Sequence, residues 1–235
     1  VLLSLTPEMA CAIAARHYQS GVNGLYLFNW RAADFGATLD KRPLLSALGD
    51  PRKLAGCNKT YILSRRDGLF PNCLPLRQIP VTISGQPARV SMRVADDLEQ
   101  GRARLKTVEL RVHYLNLTVR DRIEVRVNGT PVSCRAPLES GTPALPEGEG
   151  LPAAAWLAYD LRGALPVCGR NTIEFQADAR EACAAREFPI EVVDLELDVA
   201  YAYAGDLGDK ACSKSDSRIG CAAERTSRET PLKGP

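Results

Sequence analysis

The chain has 235 residues, 45% of them apolar and 25% charged, which is enough for one large domain or two ordinary ones with a substantial core. Thirty basic residues against 28 acidic ones leave a net charge of +2. The basic residues are scattered, so composition implies neither a nucleic-acid footprint nor a polyanionic substrate, and no apolar run approaches the ~20 residues of a membrane span.

Val1-Leu2-Leu3-Ser4-Leu5 lacks both the basic region and the apolar length of a signal peptide. It reads instead as the end of a buried strand, so the chain is read as a fragment that starts within a fold. Thr6-Pro7-Glu8 then supplies a helix N-cap, a proline at the first helical position and an acid in the first turn. Residues 7–20 are strong helix formers, with Met9, Ile13 and Arg16-His17 at helical spacing, and Gly21 is a natural stop. Four bulky apolar residues, Leu25 to Phe28, predict a strand buried on both faces, as in parallel sheets covered by helices. Strand, helix and strand with short links make a βαβ unit.

That strand ends in Asn29-Trp30-Arg31, with Asp34 close behind. Polar groups therefore gather at a carboxyl end, where α/β folds bind ligands. Asn29, Trp30, Arg31 and Asp34 are the candidate substrate-binding residues; the plainer reading is an ordinary loop with Trp30 finishing a core. His17 falls late on its helix, away from that end, and is read as structural or surface.

A short amphipathic helix over Pro43 to Leu48 is stopped by Gly49-Asp50-Pro51, a further helical turn covers Arg52 to Ala55, and Lys59 to Leu63 is extended. Three phrases of this region carry a resemblance: Tyr-x-x-Gly-x-x-Gly-Leu-Tyr-Leu-Phe-Asn (Tyr18 to Asn29), Leu-Leu-x-x-Leu-Gly-Asp-Pro (Leu44 to Pro51) and Lys-Thr-Tyr-x-Leu (Lys59 to Leu63). Together they resemble the end of a glycosyl-hydrolase-like (β/α)8 barrel of the kind that bacterial glycosidase-like proteins follow with a β-sandwich. The resemblance is confined to residues 1–65. It implies that Val1 to Leu5 ends strand seven, residues 7–20 form helix seven and residues 24–30 form strand eight.

From Leu76 the periodicity changes to two. Ile79 to Ile83 and Ala88 to Val94 are candidate strands around Ser84-Gly85-Gln86-Pro87. Val108, Leu110, Val112 and Tyr114 alternate with Glu109, Arg111 and His113, and Ile123, Val125 and Val127 alternate with Arg122, Glu124 and Arg126. Asn128-Gly129 then signals a hairpin. Residues 136–155 read as an exposed loop. Strands resume at Trp156 to Leu161, Thr172 to Ala177 and Ile190 to Tyr203, the last with Asp194, Glu196 and Asp198 facing out. Some eight strands with few helices between them predict an antiparallel sandwich. Tyr159-Asp160-Leu161 followed by Gly169 to Phe175 is similar to strands of jelly-roll, galactose-binding-like modules. His113 stands alone on a polar face and is not read as a metal ligand, and Trp156 is read as core.

The expected organisation is thus an α/β fragment, the last βαβα units of a TIM-type barrel, over residues 1–65; a linker at 66–75; an all-β, jelly-roll-like antiparallel sandwich at 76–204; and a disordered polar tail at 205–235. Eight cysteines contain no Cys-x-x-Cys pair, so neither a metal site nor a cofactor is expected. Cys11 reads as a buried thiol. The others, near turns, suit a few disulfides, and with the sequons at Asn58, Asn116 and Asn128, the last accounted for by its hairpin turn without glycosylation, they suggest a secreted or extracytoplasmic protein.

Glycoside hydrolysis needs two carboxylates at strand ends, and no acid ends Val1 to Leu5. Glu8 opens a helix and reads as a dipole residue. The resemblance implies the carboxyl-terminal part of a carbohydrate-active hydrolase with its catalytic acids upstream, inactive by itself, and a carbohydrate as its partner. The alternative is a non-catalytic carbohydrate-binding or structural sandwich on a degenerate barrel. Oligomeric state is not legible.

Overall fold

A computed structural model describes residues 6–27, 42–64, 78–118, 121–135, 153–179 and 188–202, and all of these belong to one unit, Val1–Gly205. Among the described residues three α-helices come first: α1 (Pro7–Gln19), α2 (Arg42–Leu48) and α3 (Pro51–Leu54). Nine strands follow: β1 (Lys59–Ser64), β2 (Val81–Ile83), β3 (Ala88–Val94), β4 (Leu105–Leu117), β5 (Arg122–Val127), β6 (Thr130–Val132), β7 (Ala153–Asp160), β8 (Gly169–Ala179) and β9 (Ile190–Tyr201).

The strands form two antiparallel sheets. In the first the order is β1-β9-β4-β7, with β2 pairing β9 beyond the end of β1; in the second it is β3-β8-β5-β6. The pairs β2–β9, β3–β8, β4–β7 and β5–β6 nest inside one another along the chain. The innermost pair closes at Asn128-Gly129, whose φ angles of 51° and 84° are those of a tight hairpin turn. One long double strand folded across two faces in this way is the connectivity of a jelly roll.

Alternation decides which face each strand buries. Val108, Leu110, Val112 and Tyr114 of β4 point inward beside Leu195, Leu197 and Val199 of β9, and they meet Val90 and Met92 of β3, Val125 of β5 and Phe175 of β8 from the other sheet. Phe175 stands edge-on to Tyr114, with ring centroids 6.3 Å apart. The buried Tyr114 and Tyr159 hydroxyls satisfy each other at 2.9 Å.

This overturns the expected barrel end over residues 1–65. Every described strand pair is antiparallel, no barrel closes among the described residues, and β1 joins the sandwich as the antiparallel neighbour of β9. Gly24 to Leu27 has no regular structure, and Tyr26 is 87% exposed, so the segment is not a buried strand. Four apolar residues in a row carry no period that separates a buried strand from a loop, and a parallel strand also needs a partner to take its hydrogen bonds. Val1 to Leu5, the 66–75 linker and the 205–235 tail lie outside the described residues.

Helix α1 forms as expected from its signals. The Thr6 side chain accepts from the Met9 amide at 3.2 Å, Pro7 opens the helix, and Gly21 follows it at φ 91°. Its buried face is Met9-Ala10-Cys11-Ala12 and Ala14, whereas Ile13 and His17 are exposed. Four small side chains on that face let the helix lie close against its neighbours, and Ala12 joins the common core.

The helical layer is fastened by Lys59 and Asp96. The Lys59 ammonium is fully buried and lies 2.9 Å from Asp96 Oδ1. It also donates to the carbonyls of Leu54, at the end of α3, and Cys57. Asp96 Oδ2 accepts from the Tyr61 hydroxyl at 2.9 Å, and Tyr61 Oη accepts from the Ala95 amide. One ion pair thus ties α3, β1 and the loop after β3. Removing one partner strands a buried charge, so Asp96→Ala should lower unfolding free energy by about 3–5 kcal/mol in urea titrations, and Asp96→Ala with Lys59→Met should lose less than Asp96→Ala alone.

Candidate functional site

The same alternation that fills the core sets a second, polar grid on the outer face of the first sheet. Ser64, Asp194, His113 and Trp156 lie side by side across β1, β9, β4 and β7. The next rung is Ile62, Glu196, Arg111 and Ala158, and the third is Thr60, Asp198, Glu109 and Asp160. A β-bulge between His113 and Tyr114 inserts Val193 into β9 at the edge of the first rung. Such bulges re-aim side chains: Val192 and Val193 are both fully buried, and Asp194 is turned outward.

At this rung the sheet is hollowed into a cleft of about 230 Å³, walled by Ser64, His113, Trp156, Asp194 and Glu196. Asp194 is its centre. One carboxylate oxygen accepts from Ser64 Oγ at 2.6 Å, and the other lies 3.1 Å from His113 Nδ1. The His113 ring stacks on Trp156 with centroids 4.7 Å apart and planes 9° from parallel, so the indole is held in one orientation by its neighbour. Because the carboxylate sits between serine and histidine, the Ser64 hydroxyl bonds to Asp194 and not to the imidazole. A Ser-His-Asp triad has the histidine in the middle, so the order of these three side chains is not that of a triad.

The two lower rungs are ion-paired. Arg111 pairs with Glu196, and its Nε lies 3.0 Å from Asp198 Oδ2 at an angle that makes an ion pair without a hydrogen bond. Burial raises the Glu196 carboxyl above its ordinary range, and the Arg111 charge opposes that rise. Asp160 takes Arg162 at 2.6 Å and Arg135 at 3.0 Å. The Arg162 side chain, more than any other group, holds the Asp160 carboxyl down at about 2.

A second cleft of about 390 Å³ lies where α1 and α3 meet the loop after β3, with Lys59, Asp96, Arg104 and Tyr201 among its walls. Lys59 and Asp96 are already committed to one another and to backbone carbonyls, so their arrangement is that of a structural clasp. Among the described residues no group of three or more His, Cys, Asp or Glu side chains is placed to hold a metal ion, and no helix is long and apolar enough to cross a membrane.

Of the residues singled out from sequence, Asn29, Trp30, Arg31 and Asp34 lie outside the described residues, and the strand expected to carry them is absent up to Leu27. Trp156, expected in the core, is instead on the outer face and half-buried. Its parity was legible: Tyr159 and Ala155 point inward, so Trp156 and Ala158 must point out. His113 is on the polar face as expected, and its partner is Asp194. The three sequon asparagines all make internal hydrogen bonds: Asn58 Oδ1 with the Tyr201 amide, Asn116 Nδ2 with the Pro189 carbonyl, and Asn128 with Asn171 and Thr172. Cys11, Cys57, Cys134 and Cys168 are free thiols, and Cys11 is fully buried.

The depressed Asp160 carboxyl gives a signed pH dependence. Its folded value of about 2 lies below the ordinary 3.8, so its contribution to stability is complete above 3.8 and is lost as pH falls towards 2. Thermal melts of Asp160→Asn should therefore decline less steeply than those of the parent across that window, and parallel declines would show that the Arg162 and Arg135 pairs contribute nothing.

No family model matches the chain, and a search of curated proteins returns no match.

Proposed function

We propose that this chain is a non-catalytic carbohydrate-binding β-sandwich, with its site in the cleft around Trp156 on the outer face of the first sheet. The observation that carries the reading is the pairing of a fixed indole with polar side chains on one half-open rung: Trp156 stacked by His113, beside Asp194 and Ser64. A sugar ring offers an apolar C–H face and a rim of hydroxyls. An indole packs the face, and carboxylate, hydroxyl and imidazole groups exchange hydrogen bonds with the rim. A cleft of about 230 Å³ has room for roughly one such ring. The hydrolase reading expected from the sequence draws its catalytic acids from a barrel, and without a barrel among the described residues it rests on the three phrases between Tyr18 and Leu63 alone.

Titration calorimetry against a panel of neutral oligosaccharides tests the proposal. Trp156→Ala should weaken the binding found by about 1–3 kcal/mol, the scale of one large apolar contact, with little change in melting temperature because the indole is not in the core. Equal binding by Trp156→Ala and parent, or no binding to any neutral sugar, would remove the cleft as the site.

A further inference from the structure

The net charge of +2 conceals a separation of charge across the sandwich. The outer face of the first sheet is net acidic, with Glu109, Asp160, Asp194, Glu196 and Asp198 set against Arg111, Arg135 and Arg162. The outer face of the second sheet is the reverse. Arg89, Arg93, Arg122, Arg126 and Arg170 are all exposed there, and among the side chains described the acids set between them are Glu124 and Glu174.

Those two acids are taken. Arg89 Nε lies 2.6 Å from Glu174, and Arg126 Nη2 lies 2.9 Å from Glu124. Arg93 and Arg170 are different. They stand directly opposite each other on β3 and β8, so their Cα atoms are about 5 Å apart, and neither forms an ion pair among the described residues. Like charges directly opposite on neighbouring strands repel. An oxyanion seated between two guanidinium forks removes that repulsion and takes paired N–H donors from each.

We infer that this arginine face binds a sulfated or otherwise oxyanion-bearing polysaccharide, with Arg93 and Arg170 as the principal anion clamp. This goes beyond the neutral-sugar cleft, which lies on the opposite sheet. Three features favour a glycan over a nucleic acid. No aromatic side chain stands beside these arginines on β3, β8 or β5 for bases to stack on. Glu124 and Glu174 interrupt the positive face, which a duplex carrying one charge per ~1.7 Å would meet as repulsion. Ser91 and Thr172, paired directly beside the clamp, offer hydroxyls to a sugar rim.

The test uses the full chain with dextran sulfate, unmodified dextran and duplex DNA, titrated at several salt concentrations. Dextran sulfate should bind, and more tightly than DNA at equal charge concentration. Arg93→Gln with Arg170→Gln should weaken dextran sulfate about tenfold at low salt and lower the slope of log K against log salt by about 1.5, leaving any dextran binding unchanged. The charge-matched control, Arg52→Gln with Arg102→Gln, should bind dextran sulfate as the parent does. Both pairs are exposed, so unchanged melting curves are expected throughout. Failure of the parent to bind dextran sulfate, tighter binding of DNA, or equal losses in the clamp and control variants would each overturn the inference.

Discussion

The register of β9 is the constraint on which the rest depends. It pairs Leu195, Leu197 and Val199 with Val112, Leu110 and Val108, and the intervening Asp194, Glu196 and Asp198 with His113, Arg111 and Glu109. A slip of one residue would drive three carboxylates into the core and expose three aliphatic side chains, which no local rearrangement repairs. The same register sets Asp194 between Ser64 and His113. Core and cleft are therefore two faces of one alignment. The bulge at Val193 lets β9 keep its inward residues through to Ile190 while the polar face is turned at the first rung.

The helical segment is held by a different kind of force. Helix α1 buries three alanines, one cysteine and a single large side chain, Met9, so it contributes modest apolar area. Orientation comes from polar ties: Tyr18 Oη donates to the Leu48 carbonyl at 3.0 Å, Gln19 Nε2 to the Val94 carbonyl at 3.3 Å, and Lys59 gathers the end of α3 onto β1. A buried lysine with every donor used sets position better than it adds stability, consistent with a layer that covers one side of β1 without being the source of the core.

Much of the sandwich was legible because period two is a physical signal: β4, β5 and β9 each show it along their length, and Asn128-Gly129 marks its own turn. The barrel end failed for want of any such signal. Leu25 to Phe28 has composition but no period, and the phrases around it also suit helices that lie on an antiparallel sheet. Lys59 to Leu63 reads as extended, but nothing local says that its partner is β9, the last strand described in the chain. The cleft was hidden for the same reason. Ser64, His113, Trp156 and Asp194 come from four strands, and only the sheet order brings them into one rung. Net charge misled in a related way, since near-neutrality averaged an acidic face with a basic one.

The central claim is that the rung of Ser64, Asp194, His113 and Trp156 is a ligand surface, and the chain's two tryptophans, Trp30 and Trp156, allow a direct reading of it. In a nitrogen-15-labelled sample each gives one indole N–H resonance, assigned by Trp156→Phe. Titration with neutral oligosaccharides should shift the Trp156 indole together with the backbone amides of His113 and Asp194, saturably and with a common midpoint. A spectrum in which those signals stay fixed, whether or not the Trp30 indole moves, would contradict the account.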